Sequence, residues 1–170
     1  MGWYDYTLRD PMLGVPMDVY RRKSTPRATG PVWNDALFAK WGMSDPDVTD
    51  WQLERLRSQF GQVDGAERVV AALHHVPTKK LLRPSFLPAF LPRRQVVPEK
   101  WLVLNTYLGS RRFEELLADY AERVEVAFCG HIHLGRDATA SGVRFVSNGS
   151  SYRRKELLVW SNGELERVTF

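Results

Sequence analysis

Two short runs of apolar residues, each followed at once by histidine, stand out in the hydrophobic pattern of the chain. The run at 69–73 is followed by His-His at 74–75, and the run at 124–129 is followed by Gly-His-Ile-His at 130–133. Continuous apolarity over so short a length is typical of a strand that is covered on both faces. The pattern therefore predicts two buried strands, each with a histidine-bearing loop at its carboxyl end.

Two other segments place apolar residues at helical spacing. The first helix is predicted over 49–62, where the acidic and threonine residues at 47–50 favour an N-terminus. The second is predicted over 111–122, with Ser110 as its cap. Both apolar stripes are interpreted as faces that pack against the core; they consist of Trp51, Leu53, Leu56 and Phe60 in the first helix, and of Phe113, Leu116, Leu117 and Tyr120 in the second.

The last part of the chain is predicted to be mainly extended. Residues 143–146 have the pattern of a strand, and residues 157–160 and 165–168 are predicted to form a hairpin around the Asn-Gly turn at 162–163. Residues 101–107 are predicted to be a strand or a buried turn. Taken with the helices, these elements predict an α/β fold. Its expected architecture is an α+β sandwich built on a mixed sheet.

Three stretches are less regular. The aromatic opening at 2–7 predicts a strand end or a packed loop rather than a frayed terminus. Prolines break the segment 8–45, which is interpreted either as a lid or substrate-facing loop or as a surface excursion. The proline-rich, basic segment 79–98 is too apolar for a free linker and is predicted to wrap the rim of the site.

Length and composition are those of an ordinary globular protein. The 170 residues are predicted to form one domain, of which 44% is hydrophobic and 26% is charged. There is neither an apolar run long enough to span a membrane nor a signal-peptide pattern, so the cytoplasm is the expected location. The single cysteine, Cys129, is predicted to be a buried core residue. The net charge of +4 suits an anionic substrate, but as a signal for nucleic-acid binding it is weak.

All four histidines follow the two predicted strands, which makes them the candidate chemistry. Ligands in open α/β sheets bind at the carboxyl ends of strands, and neutral imidazole is a common ligand for divalent transition metals. Because residues i and i+2 share a face in an extended chain, His131 and His133 could clamp one metal, or serve two metals if the loop turns between them. Gly130 would allow a sharp bend ahead of them. His74 and His75 are expected to point apart, so only one of them is a candidate ligand.

A two-metal hydrolytic site also needs anionic ligands, and the sequence supplies no obvious one. Asp5, Glu125 and Asp137 have no other candidate metal ligands near them in the sequence. A mononuclear zinc site of three histidines and a water, hydrolytic or structural, is therefore an alternative.

The block Leu-His-His-Val-Pro at 73–77, followed later by Cys-Gly-His-Ile-His at 129–133, resembles the calcineurin-like metallophosphoesterase superfamily. This resemblance implies a centre of two divalent ions (Mn, Fe or Zn), with His74 and His131 on one ion and His133 on the other. It also implies an enzyme that hydrolyses phosphomono- or phosphodiesters by means of an activated water.

Two later features are similar to the same family. Asn-Gly-Ser at 148–150 resembles the turn that follows the family's next strand, and the closing hairpin fits its C-terminal sheet. The expected partner is a phosphorylated substrate, and Lys79, Lys80 or Arg83 are candidates for attracting it.

The chain departs from the family in the motifs of the N-terminal half. Asp-x-His, Gly-Asp-x-x-Asp and Gly-Asn-His-Asp or -Glu are all absent. Residues 1–170 are therefore expected to be the C-terminal part of a larger phosphoesterase domain, and the abrupt aromatic opening is interpreted in the same way. The alternative is a natural half-domain that has no catalytic activity and binds a protein or a nucleic acid.

Overall fold

The computed structural model describes residues 2–63, 65, 67–82 and 99–170. Short 3₁₀ turns lie at Pro11–Leu13, Lys79–Leu81 and Asn105–Tyr107. No helix in these ranges is both long and apolar enough to cross a bilayer. The helices and strands are, in chain order, α1 (Met17–Arg21), α2 (Asp35–Phe38), α3 (Asp45–Gln62), β1 (Val69–Leu73), α4 (Glu99–Leu104), α5 (Arg112–Ala118), β2 (Val124–Cys129), β3 (Arg136–Ala140), β4 (Val143–Ser147), β5 (Glu156–Ser161) and β6 (Glu164–Thr169).

The main sheet is mixed and has the strand order β1-β2-β4-β3. Strands β1, β2 and β4 are parallel, and β3 pairs with β4 in the antiparallel direction. The prediction of a mixed α/β fold with a mixed sheet is confirmed. Strands β5 and β6 form a separate two-stranded sheet. The register pairs Leu73 with Cys129, so the two histidine-bearing strands are neighbours that end side by side.

One face of the main sheet packs against α3 and α5. Helix α3 begins at Asp45, earlier than predicted, because Ser44 and Asp47 form a capping box at its N-terminus. Trp51 was predicted to be core but is 44% exposed. It is two residues from Leu53, about 200° around the helix, and therefore lies away from the buried stripe. The core on this face includes Leu53, Leu56, Phe60, Ala71, Leu73, Phe113, Leu116, Leu117, Ala127, Cys129 and Phe145.

Helix α5 is shorter than predicted and ends at Ala118. Beyond it the amide groups of Tyr120 and Arg123 donate to carbonyls three residues earlier, which tightens the chain into turns before β2 begins. Tyr120 stacks on Phe60 of α3 at a ring separation of 4.1 Å. The stripe residue is thus still used for packing, although it lies outside the helix.

The aromatic opening of the chain forms a second core. Trp3, Tyr4 and Tyr6 are buried against α1, the start of α3, and the segment 101–107. That segment is not a strand, because it consists of the end of α4 and the 3₁₀ turn at Asn105–Tyr107. Val103 and Tyr107 are about one helical turn apart, and both are fully buried. The prediction of a packed loop at 2–7 is confirmed.

The closing hairpin lies on the opposite face of the sheet. Trp160 of β5 contacts Phe128 of β2 at a ring separation of 6.1 Å, edge to face. The turn between β5 and β6 has φ of 52° at Asn162 and 84° at Gly163, and positive φ at both central residues is what a type I′ hairpin turn requires. The hairpin prediction is confirmed.

Candidate metal centre and adjoining cleft

His74 and His131 face each other at the carboxyl ends of β1 and β2. The Gly130 amide donates to the carbonyl oxygen of His74 at 3.0 Å, which continues the parallel ladder by one step. Nε2 of His74 then lies 3.2 Å from Nδ1 of His131. Two ligands of one tetrahedral ion, at the usual zinc–nitrogen distance, are about 3.3 Å apart. The two nitrogens therefore fit a single divalent ion.

The loop that carries His131 turns at that residue. His131 has φ of 64°, and the Ile132 amide donates to the Gly130 carbonyl at 2.8 Å. This is a classic γ-turn, a rare and strained conformation for a residue with a side chain. The bend predicted at Gly130 is thus at His131 instead, because burial of Ile132 in the core holds the turn there. The γ-turn spans residues 130–132, and whether His131 and His133 serve one metal or two stays a prediction.

His133 is exposed and lies outside the His74–His131 pair. Its Nδ1 is 2.7 Å from the carbonyl oxygen of Ser150, and its ring stacks on Tyr152 at 5.6 Å. A carbonyl can only accept, so Nδ1 carries the proton and the lone pair is on Nε2. Metal-binding histidines usually have their second nitrogen held in this way. Within the described ranges no three His, Cys, Asp or Glu side chains surround one point, and the role of His133 stays a prediction.

His75 is a core residue. It is only 4% exposed, stacks on His131 at 4.2 Å and packs edge-on against Trp3. Neither of its ring nitrogens has a hydrogen-bond partner among the described residues. Burial, and then the proximity of His131 and His74, lowers the pKa of His75 to about 2. His74 is exposed whereas His75 is buried, but their rings lie 5.0 Å apart, edge to face, and both meet the ring of His131, so the predicted divergence of the two side chains is wrong.

The pKa of His131 is lowered to about 4, chiefly by burial and then by His74. The charge of Asp35 acts in the opposite direction and raises it. Asp35 is held by the indole N–H of Trp33, which donates to Oδ2 at 2.8 Å. Sequence reasoning missed this carboxylate, because no motif marks it and its position depends on how an irregular segment packs.

A cleft of about 690 Å³ opens beside the histidines. The segment 32–35 forms part of its wall, so this portion of the proline-broken region faces the candidate site. Leu81 and Leu82 also line it; the segment 83–98, which includes Arg83 and was predicted to wrap the rim, lies outside the described residues. The other lining residues are Lys100, Trp101, Leu104, Asn105, Leu108, residues 131–134 and Tyr152.

The lysines predicted to attract substrate are engaged elsewhere. Nζ of Lys79 donates to the Arg9 carbonyl at 3.0 Å, and Nζ of Lys80 donates to the Thr139 carbonyl at 2.5 Å. Lys100, which was not singled out in the sequence, lines the cleft instead. The carboxylates judged to be poor ligand candidates make structural contacts; Asp137, for example, pairs with Arg144 at 2.7 Å.

A partly buried ion pair supports the loop behind His133. The carboxylate of Glu156 accepts from the Gly149 amide at 2.6 Å and from Nη1 of Arg167 at 2.8 Å. The Ser150 amide donates to Oδ1 of Asn148 at 2.6 Å, which confirms the turn predicted at 148–150. The hairpin thereby fixes the carbonyl that orients the His133 ring.

Cys129 is buried in the core, as predicted, and burial raises the pKa of its thiol to about 12. A buried thiol that stays protonated at neutral pH fits the role of a packing residue.

No family model matches the sequence, and no curated protein or solved structure is significantly similar to it. The two histidine motifs and the geometry around them are therefore the features that bear on function.

Proposed function

We propose that this chain is the histidine-bearing portion of a metal-dependent phosphoesterase that hydrolyses phosphomono- or phosphodiesters. The observation that carries the proposal is the 3.2 Å approach of Nε2 of His74 to Nδ1 of His131 at the ends of adjacent parallel strands. In such folds ligands bind at this edge of the sheet.

The protonation state of His131 supports metal binding. A metal ligand must offer a lone pair, and the pKa of His131, lowered to about 4, keeps its ring neutral at physiological pH. His74 and His131 would hold one ion. His133, whose Nδ1 is already committed to Ser150, would present Nε2 to a second. Asp35 is the carboxylate that lines the same cleft.

A bound divalent ion would supply Lewis acidity toward the phosphoryl oxygens and a more acidic water. The chain itself contributes two further functions. Lys100 at the cleft attracts an anionic substrate, and the γ-turn at His131 fixes the ligand ring in place.

The experiment is hydrolysis of bis(p-nitrophenyl) phosphate and p-nitrophenyl phosphate by the 170-residue protein after chelation and reloading with Mn²⁺ or Zn²⁺. We expect slow metal-dependent turnover, because the Asp-x-His and Gly-Asp-x-x-Asp motifs are absent from these residues, and we expect it to be lost in His74→Ala and in His131→Ala. Asp137→Asn, which alters an exposed ion pair on β3, is the matched control and should keep full activity. Turnover that is insensitive to both histidine substitutions would contradict the proposal.

The same assay separates the alternative function. A protein that binds metal through these histidines but leaves both esters intact would be the non-catalytic half-domain. The next step would then be a search for its protein or nucleic-acid partner.

A further inference from the structure

The cleft beside the histidines has aromatic side chains that the described part of the fold leaves uncovered. Trp101 on α4 is 52% exposed and Tyr152 is 94% exposed, and both line the cleft together with Trp33. Large aromatic faces that converge on a concave surface are typical of small-molecule sites. The volume of about 690 Å³ is in the range that such sites occupy.

Two of the aromatic side chains that line the cleft contact the candidate ligands. Tyr152 stacks on His133 with ring planes 27° apart, and Trp33 meets His131 edge to face at 5.9 Å. Trp33 is held firmly, since it stacks on buried Tyr107 at 5.6 Å. A molecule whose phosphate lies at the histidines would therefore extend along aromatic faces.

The cleft is also lined by groups that form hydrogen bonds. Asn34, Asp35 and Lys100 line the cleft among the aromatic and aliphatic side chains. Trp33 donates to one oxygen of Asp35, and a carboxylate has further acceptor sites for N–H groups of a ligand. An acyl chain would leave these groups without partners, whereas the edge of a nucleobase offers both donors and acceptors.

We propose that the ligand of this cleft is a nucleotide, with its phosphate at His131 and its base stacked among Trp33, Trp101 and Tyr152. This inference rests on the phosphoesterase function proposed above. Stacking of a base on an aromatic side chain is tolerant of base identity, so the site selects the chemical class and not one base.

The test is isothermal titration of the metal-free 170-residue protein, in chelator, with AMP, adenosine, ribose 5-phosphate and decyl phosphate. We expect AMP to bind about tenfold or more tightly than ribose 5-phosphate, and adenosine to bind measurably without any phosphate. Trp101→Ala should weaken AMP binding about tenfold. Trp51→Ala is the matched control, since Trp51 is 44% exposed and outside the cleft, and it should leave AMP binding unchanged.

Two results would overturn the proposal. One is equal binding of AMP and ribose 5-phosphate, or tighter binding of decyl phosphate. The other is an equal effect of Trp101→Ala and Trp51→Ala. Both variants change exposed side chains, and a circular dichroism spectrum confirms that each is folded.

Failure of this inference differs from failure of the proposed function. Hydrolysis of bis(p-nitrophenyl) phosphate without a preference for AMP in the titrations would overturn the nucleotide and leave the phosphoesterase standing. A preference for AMP that depends on Trp101, without hydrolysis of any ester, would support base recognition and contradict the enzymatic proposal.

Discussion

The Nδ1 atom of His133 lies 2.7 Å from the carbonyl oxygen of Ser150, and this hydrogen bond fixes which nitrogen of His133 carries its proton. Ser150 is in turn held by β5, because its hydroxyl donates to the Glu156 carbonyl at 3.0 Å. The closing hairpin is therefore part of the candidate site, although it supplies none of the predicted ligands.

The buried carboxylate of Glu156 should be a main attachment of that hairpin. Its partner Arg167 is 28% exposed, so we expect Glu156→Gln to lower the free energy of unfolding by about 2 kcal/mol, less than for a fully buried pair. The control is Glu54→Gln, which breaks an exposed pair with Arg57 on α3 and should cost at most about 0.5 kcal/mol. Urea denaturation at pH 7.5 measures the free energy of unfolding of both variants. Equal losses would contradict the role of Glu156 as a main attachment of the hairpin.

Stability should fall in mild acid because of His75. In the unfolded chain this imidazole takes up a proton near pH 6.5, whereas in the folded protein burial lowers its pKa to about 2. Between these values the unfolded chain binds more protons, so stability is full above pH 6.5 and is lost as the pH falls below it. From pH 7.5 to pH 5 this group alone should cost about 2 kcal/mol. His131, with a pKa of about 4, adds to the loss in the same direction.

The variant His75→Phe isolates this contribution. Removal of the titrating group should flatten the dependence of unfolding free energy on pH by about one proton between pH 5 and pH 6.5, as measured by urea denaturation in chelator. An unchanged slope would mean that His75 is able to bind a proton in the folded protein.

Two glycines have similar surroundings, but replacing them with alanine should change the free energy of unfolding in opposite directions. A Cβ at Gly61 in α3 or at Gly163 in the hairpin turn would have nothing within 4 Å, but Gly163 has φ of 84°. Gly163→Ala should therefore destabilise the protein by about 1–2 kcal/mol, because the left-handed region is costly for alanine. Gly61→Ala should stabilise it by about 0.5–1 kcal/mol. Thermal unfolding compares the two, and a loss for both would contradict the backbone argument.

The parts of the fold that could be predicted are those with strong local signals. Continuous apolar runs revealed β1 and β2, and Asn-Gly at 162–163 revealed the β5–β6 hairpin. Strand β3 was missed, because Arg136, Asp137 and Thr139 leave no apolar run and an edge strand needs none. Trp51 lies outside the core although it is apolar and helical, because it is about 200° around α3 from Leu53.

The candidate site was predictable where it depends on sheet topology. Adjacent parallel strands that end at Leu73 and Cys129 bring His74 and His131 together, as expected from their sequence contexts. Asp35 and Trp101 could not be found in this way, since they come to the cleft through the packing of an irregular segment and a short helix.

The central claim is that His74 and His131 bind one divalent ion, and the most direct test is calorimetric titration of the chelator-stripped 170-residue protein with Zn²⁺ at pH 7.5. We expect saturable binding that weakens by about 100-fold in His74→Ala and in His131→Ala, while Asp137→Asn binds as the unaltered protein does. Zinc affinity that is the same in all four proteins would contradict the account.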